Sequence, residues 1–274
     1  MTFFQAIVLG VIQGATEFLP ISSSGHLVLL PWLLGWQINP DTIFIFDILV
    51  QWGTLVAVIA YFHEDLIRLI LAAFRGLRQG TPWKETDSRL AWLLALASIP
   101  AAAVGLLIKQ TVAFSFNNPA AASAFLLVTA ALLVIAEKVQ TGERSLDQMK
   151  PSDALWVGVF QILALFPGVS RSGSTITGGL IRGFDRETAA RFSFLMSIPI
   201  MLGAGILALL DLSGLGFFQT LLPALLLGTA SAAVVGYLAI HWLLKFISTN
   251  KLTVFAWYCL LLGAGGLIFY ALKV

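Results

Sequence analysis

Apolar residues run along this chain in long blocks parted by short polar stretches. Six blocks, at 42–62, 90–108, 119–137, 189–211, 219–245 and 253–272, come close to the roughly 20 residues a helix needs to cross a bilayer. Two others, 3–36 and 154–181, are interrupted in the middle by polar, helix-breaking sequence. Splitting the first at Pro20–Gly25 leaves two pieces too short to span, so each broken block is expected to be a re-entrant helix–loop–helix. Between the first spans, Leu66, Ile67, Leu69, Ile70, Ala73, Phe74 and Leu77 recur at helical spacing opposite arginines, the pattern of a helix lying among lipid headgroups.

Composition sharpens this picture. With 58% hydrophobic and 11% charged residues, the 274-residue chain is far from the quarter charged that is typical of soluble domains. The apolar blocks are too long for barrel strands, so the expected class is an all-α integral membrane protein. Each half carries one broken segment and three spans. Three is odd, so the halves 1–137 and 154–274 should be inserted with opposite topology, as inverted repeats within one membrane domain covering 1–274. Positive charge orients the chain. If loop 63–89 is cytoplasmic, so is 138–153, and of the 16 Lys and Arg only Lys109 and Lys273 face the other side, with Arg171 left inside the second broken segment. Both termini are then placed outside the cytoplasm. A net charge of +2, scattered over loops, gives no reason to expect nucleic acid as a partner. The first residues lack a basic region and a small-residue cleavage site, so no removable signal peptide is expected. Cys259 is read as a small core residue, and with one cysteine no intrachain disulfide is available.

The two interruptions echo each other. Gly10-Val11-Ile12-Gln13 precedes Glu17-Phe18-Leu19-Pro20-Ile21-Ser22-Ser23-Ser24-Gly25-His26, and Gly158-Val159-Phe160-Gln161 precedes Pro167-Gly168-Val169-Ser170-Arg171-Ser172-Gly173-Ser174-Thr175. Polar sequence at membrane depth is costly unless it lines a cavity, and matched copies mark a site at a repeat interface. Arg171 at a helix centre would cost about 2.5–3.5 kcal/mol on insertion scales, so it should face a cavity or an anion. Ser170, Ser172, Gly173, Ser174 and Thr175 would open the following half-helix, whose free N–H groups favour phosphate, with Ser22 on the opposing tip. Ser23 and His26 stand three apart, near neighbours on a helical turn, so the histidine can take the serine proton or itself attack phosphorus. Glu17 can orient the histidine, act as base or hold a divalent cation, and Gln13, one turn earlier, can add an amide oxygen.

Gln13-x-x-x-Glu17, the stretch to His26 and Pro167–Thr175 resemble the signature motifs of the bacitracin-resistance family of bacterial undecaprenyl-diphosphate phosphatases, and the likeness extends over essentially the whole chain. The resemblance implies a multi-pass enzyme of the bacterial plasma (inner) membrane. It would hydrolyse undecaprenyl diphosphate to the monophosphate, regenerating the carrier for cell-wall precursors at the outer face. Mg²⁺ or Ca²⁺ would assist. It puts Glu17, Ser23, His26, Ser170, Arg171, Ser172 and Thr175 in the active site. Association into a homodimer is compatible with the pattern. Glutamine at the first acidic position of the motif leaves one carboxylate where two occur, so the cation should be held more weakly, with Asp47 on the neighbouring span a candidate to supply the missing charge. The expected mechanism has Ser23 attacking the terminal phosphorus and His26 taking its proton. His26 or water as nucleophile are the alternatives.

A secondary transporter or lipid-carrier flippase with a midplane anion site would share the architecture but would not need Glu17, Ser23 and His26 opposite an arginine. The other class of membrane lipid phosphatases needs a second histidine where Thr177 stands, and its Lys-x6-Arg-Pro motif does not occur. The remaining polar residues take plainer readings. His63-Glu64-Asp65 is expected to be a solvated helix end and His241 an interface anchor. Glu137 and Asp211 should reach water, Gln51 is split evenly between the site and a neighbouring helix, and Gly203, Gly205, Gly263, Gly265 and Gly266 are read as close-packing positions.

Overall fold

The computed structural model describes residues 1–274 except 109, 110, 113, 114, 117, 141, 213–217 and 274, and describes no side chain at 40, 41, 44, 208–212 or 218–220. The expectations for Lys109 and for the Asp211 side chain therefore lie outside the described residues. The described chain is helical: α1 (Phe3–Phe18), α2 (Ser23–Leu33), α3 (Pro40–Tyr61), α4 (His63–Arg78), α5 (Thr86–Leu107), α6 (Pro119–Val139), a 3-10 turn (Leu146–Gln148), α7 (Pro151–Leu163), α8 (Arg171–Ile181), α9 (Arg186–Leu212), α10 (Phe218–Ile247) and α11 (Thr253–Lys273). Five of these, α5, α6, α9, α10 and α11, are long and apolar enough to cross a membrane, and α3 and α4 pass the same test as a pair bent by 78°. Large apolar side chains such as Leu226, Val234, Leu238, Trp257, Leu261 and Leu272 point outward. In water that surface would aggregate; in lipid it is the expected exterior. The chain is a multi-pass membrane protein.

Local sequence sets the helix ends. Thr2 caps α1 reciprocally: its hydroxyl accepts from the Gln5 N–H while the Gln5 amide oxygen accepts from the Thr2 N–H. Pro20 denies the next turn its N–H and disfavours helix at Leu19, so α1 ends at Phe18. Pro119 and Pro151 sit in the first turns of α6 and α7, where a missing N–H costs nothing. The amphipathic α4 keeps Ile67, Ile70, Leu71, Phe74 and Leu77 exposed, while Asp65 ties it to Arg191 of α9 and Arg75 to Glu85.

Close helix packing depends on small residues, because lipid offers no hydrophobic drive between apolar helices. Gly10 of α1 lies against the Gly228 carbonyl of α10, and Gly158 of α7 lies against the Ala97 carbonyl of α5. A β-carbon at either glycine would overlap that oxygen. Gly205 meets the Trp52 indole, and Gly263 and Gly266 meet Ser123, as close-packing positions should; Gly203 and Gly265 face open space and are not packing positions. Glu137 does not reach water as expected. Its side chain is 6% exposed, paired with Arg186 at 2.7 Å, and it accepts from the Leu252 N–H. His63 and Glu64 are solvated, and His241 meets the Tyr61 hydroxyl at 3.4 Å.

Candidate active site

Both interruptions are capped helix starts. The Ser22 hydroxyl accepts from the Gly25 N–H at the head of α2, and the Ser170 hydroxyl accepts from the Gly173 N–H at the head of α8. The two tips touch. The Gly168 N–H donates to Ser22 Oγ at 3.1 Å, and Ser172 Oγ donates to the Leu19 carbonyl at 3.0 Å. Gly168 has φ 101°, open to glycine alone among common residues, and its turn brings the second tip against Ala122. Ser22 is the one non-glycine residue with positive φ among those described, at 68°, a strain of order 1–3 kcal/mol held in place by the two N–H groups its hydroxyl accepts.

Glu17, near the end of α1, is the hub. Its Oε2 accepts from Gln13 Nε2 at 2.8 Å and from Ser23 Oγ at 2.5 Å, and its Oε1 accepts from the Arg171 guanidinium at 2.9 Å. The other guanidinium arm donates to the Ser193 carbonyl at 3.1 Å. With 7% and 13% of their side chains exposed, Glu17 and Arg171 form a buried pair drawn from opposite halves of the chain. They line a cavity of about 170 Å³ together with Ser22, Ser23, Ser24, Gln51, Gln161 and Ser170. Gln51 therefore faces the site. A second, apolar cavity of about 520 Å³ shares Gln51, Ala101, Phe116, Ala164, Leu165, Ile200 and Ala204 with the first, so a polar chamber opens into a greasy groove along α5 and α9.

Several expected roles change. Ser23 is not coupled to His26: the hydroxyl turns back to Glu17, while the imidazole turns toward α11. There His26 Nε2 meets the Tyr258 hydroxyl at 2.6 Å, and Nδ1 meets the Ser22 carbonyl at 2.7 Å. A carbonyl only accepts, so Nδ1 carries the proton and, in the neutral ring, Nε2 accepts from Tyr258. Ser172, Gly173, Ser174 and Thr175 do not reach the cavity. The Ser172, Ser174 and Thr175 hydroxyls are spent on Leu19, Ser170 and Arg171 carbonyls, which leaves Val169, Ser170 and Arg171 as the cavity-facing part of that motif. Asp47 lies elsewhere. It is buried with both oxygens unpartnered and lines a neighbouring cavity with Trp32 and Trp36, not the one that holds Ser23 and Arg171.

Among the described residues no three His, Cys, Asp or Glu side chains gather as a metal cage. The donor set nevertheless suits a hard divalent ion of the kind held mainly by substrate phosphates and a single carboxylate. Glu17 would be that carboxylate, and Gln13 Oε1, one turn away, is buried without a partner among the described residues.

Sequence reasoning missed Thr129, whose hydroxyl accepts from the Ser170 N–H and donates to the Gly168 carbonyl, fixing the second tip. It also missed Tyr258 and the Ser193 carbonyl. No sequence signal marks a Thr or Tyr inside an apolar span as a partner of a motif far away in the chain.

A family model described as bacitracin resistance protein BacA matches residues 6–265. The chain belongs to the BacA family. Proteins named undecaprenyl-diphosphatase match it along their length: from Moorella thermoacetica with 46% identity over 264 residues, 96% of each chain. The one from Geobacter metallireducens matches with 44% identity over 270 residues, 98% of each chain, and the one from Pelotomaculum thermopropionicum with 41% over 273 residues, all of this chain and 98% of the relative.

Proposed function

We propose that this BacA-family chain hydrolyses undecaprenyl diphosphate, releasing inorganic phosphate and leaving undecaprenyl phosphate as the membrane carrier for cell-wall precursors. That activity fits bacitracin resistance, since it draws down the diphosphate form of the lipid. The observation that carries the reading is the Glu17–Ser23–Arg171 cluster in a chamber that opens directly into an apolar groove. A nucleophile beside its base, a cationic fork and a slot for a hydrocarbon chain are what a prenyl diphosphate requires.

In the mechanism we favour, Ser23 Oγ attacks the terminal phosphorus and its proton passes to Glu17 Oε2, 2.5 Å away. The bond from that phosphorus to the bridging oxygen breaks, and undecaprenyl phosphate leaves, its former bridging oxygen taking the proton from Glu17 so that the carboxylate is free again. Water then attacks the phosphoserine, giving its proton to Glu17, which returns one to Ser23 Oγ as phosphate departs. The Arg171 fork, swinging from Glu17 to the phosphoryl oxygens, stabilises their charge. A bound Mg²⁺ or Ca²⁺, held by Glu17 with Gln13 Oε1, would neutralise phosphate charge. Because both imidazole nitrogens of His26 are engaged, His26 supports the Ser22 turn and is a weaker candidate for nucleophile than Ser23.

The same reading extends to topology. α1–α2 and α7–α8 act as re-entrant hairpins of two inverted repeats, supported by the matched caps Ser22 and Ser170 and by the matched glycine contacts of α1 on α10 and α7 on α5. The weight of Lys and Arg at one end supports termini on the outer side and a chamber reached from there. The test is phosphate release from a prenyl diphosphate by the purified protein in detergent. Trapping a phosphoenzyme that is alkali-labile and acid-stable supports Ser23, and an acid-labile one would move the nucleophile to His26.

A further inference from the structure

Gln161 is a buried amide with no hydrogen-bond partner among the described residues. It is 2% exposed on α7, and neither Oε1 nor Nε2 meets a partner. Yet the side chain lines the polar chamber, near Ala164, Leu165 and Arg171. Its counterpart explains how it came to be alone. Gln13 and Gln161 stand equally far ahead of the caps Ser22 and Ser170, but Gln13 donates to Glu17 four residues later, and the matching place after Gln161 is Leu165. A leucine accepts nothing. An unpartnered amide at membrane depth is a standing penalty on the empty protein, one that a ligand with hydrogen-bonding oxygens would remove.

Its position says which oxygens. Ser23, Glu17 and Arg171 hold the end of the chamber where the terminal phosphorus must sit. Ala164 and Leu165, one turn after Gln161, line both the chamber and the apolar groove. Gln161 thus stands at the junction, where the phosphate nearest the prenyl chain has to lie. We propose that Gln161 is a substrate-binding residue for the lipid-proximal phosphate, its Nε2 donating to a non-bridging oxygen of the group that stays on the lipid. Phosphate oxygens at this stage only accept, so the amide nitrogen is the matching end. This rests on the phosphatase reading above. The residue would make the site recognise product and substrate by the same contact while leaving inorganic phosphate unread.

The test uses the full chain in detergent with Gln161→Leu and, as a second shape match, Gln161→Met. The readouts are KM and kcat for a prenyl diphosphate, inhibition constants for the prenyl monophosphate and for inorganic phosphate, and melting temperature without ligand. Losing one hydrogen bond to a charged group should raise KM and the monophosphate constant together, by about tenfold or more. kcat should fall by less than KM rises, the inorganic phosphate constant should hold, and the melting temperature should stay or climb because an unpaired amide is gone. Unchanged KM and monophosphate inhibition would overturn the assignment, as would an equal rise in the inorganic phosphate constant or a lower melting temperature in both variants. A wild-type protein that releases no phosphate would instead remove the phosphatase reading itself.

Discussion

Replacing Glu17 with glutamine isolates the base from the fold. The carboxylate takes three hydrogen bonds, two on Oε2 and one on Oε1. Glutamine keeps the shape and can present its oxygen to Arg171, which leaves its NH2 facing Gln13 and Ser23. Gln13 has an unpartnered Oε1, so turning its amide over gives that NH2 an acceptor, and the Ser23 hydroxyl can rotate to accept as well. The folding cost then reduces to weaker, uncharged bonds at Arg171, about 1–2 kcal/mol. The chemistry fares worse. The amide cannot take the Ser23 proton, and a positioned general base contributes about 10²–10⁴-fold. Glu17→Gln should therefore melt within a few degrees of wild type in detergent while kcat for a prenyl diphosphate drops at least about a hundredfold. Activity within tenfold of wild type, alongside a dead His26→Gln, would refute Glu17 as base and restore the imidazole to that role.

Arg171→Lys keeps the charge but cannot bridge Glu17 Oε1 and the Ser193 carbonyl at once; kcat should fall about 10²–10³-fold in the same phosphate-release assay, the loss typical of removing one transition-state donor. Ser22→Ala strands the Gly25 and Gly168 N–H groups and should cost about 2–3 kcal/mol, measured as a lower melting temperature in detergent. Tyr258→Phe removes the donor to His26 Nε2 while keeping the ring stack at 5.6 Å; a loss of about 1 kcal/mol in stability with kcat lowered less than tenfold is expected from thermal melts and steady-state rates.

The spans were plain in the sequence because burial in lipid demands long apolar runs, and so were the breaks, because Pro20 and Pro167 come with runs of serine and glycine, whereas the lone Pro100 and Pro199 stay inside the spans α5 and α9. Glu17 and Arg171 were legible as chemistry too, since ionisable groups at membrane depth are too costly to keep without a task, and Ser23 stood in the same polar break. Pairing was not. A spacing of three put Ser23 and His26 on one turn, but spacing along a helix says nothing of what approaches from outside it: α11 brought Tyr258 to the imidazole, and the end of α1 brought Glu17 to the hydroxyl. Ser172, Ser174 and Thr175 read as phosphate ligands for the same reason. Their hydroxyls in fact satisfy carbonyls, a choice that depends on rotamer and neighbour. Glu137 shows the converse, a span-end carboxylate drawn inward by Arg186.

The pairing of Glu17 with Arg171 has a consequence for selectivity. This protein lives in a sea of phospholipid headgroups, each carrying a phosphate and each vastly more abundant than any isoprenoid carrier. A bare guanidinium would be clogged by that crowd. With one arm of the guanidinium on its own carboxylate and the other on a backbone carbonyl, the resting protein is electrically quiet at this spot, and a singly charged diester gains little by intruding. Only a guest with more negative charge, concentrated on two adjoining phosphorus centres, can make the exchange worthwhile, so the internal pair works as a threshold as well as a fixture.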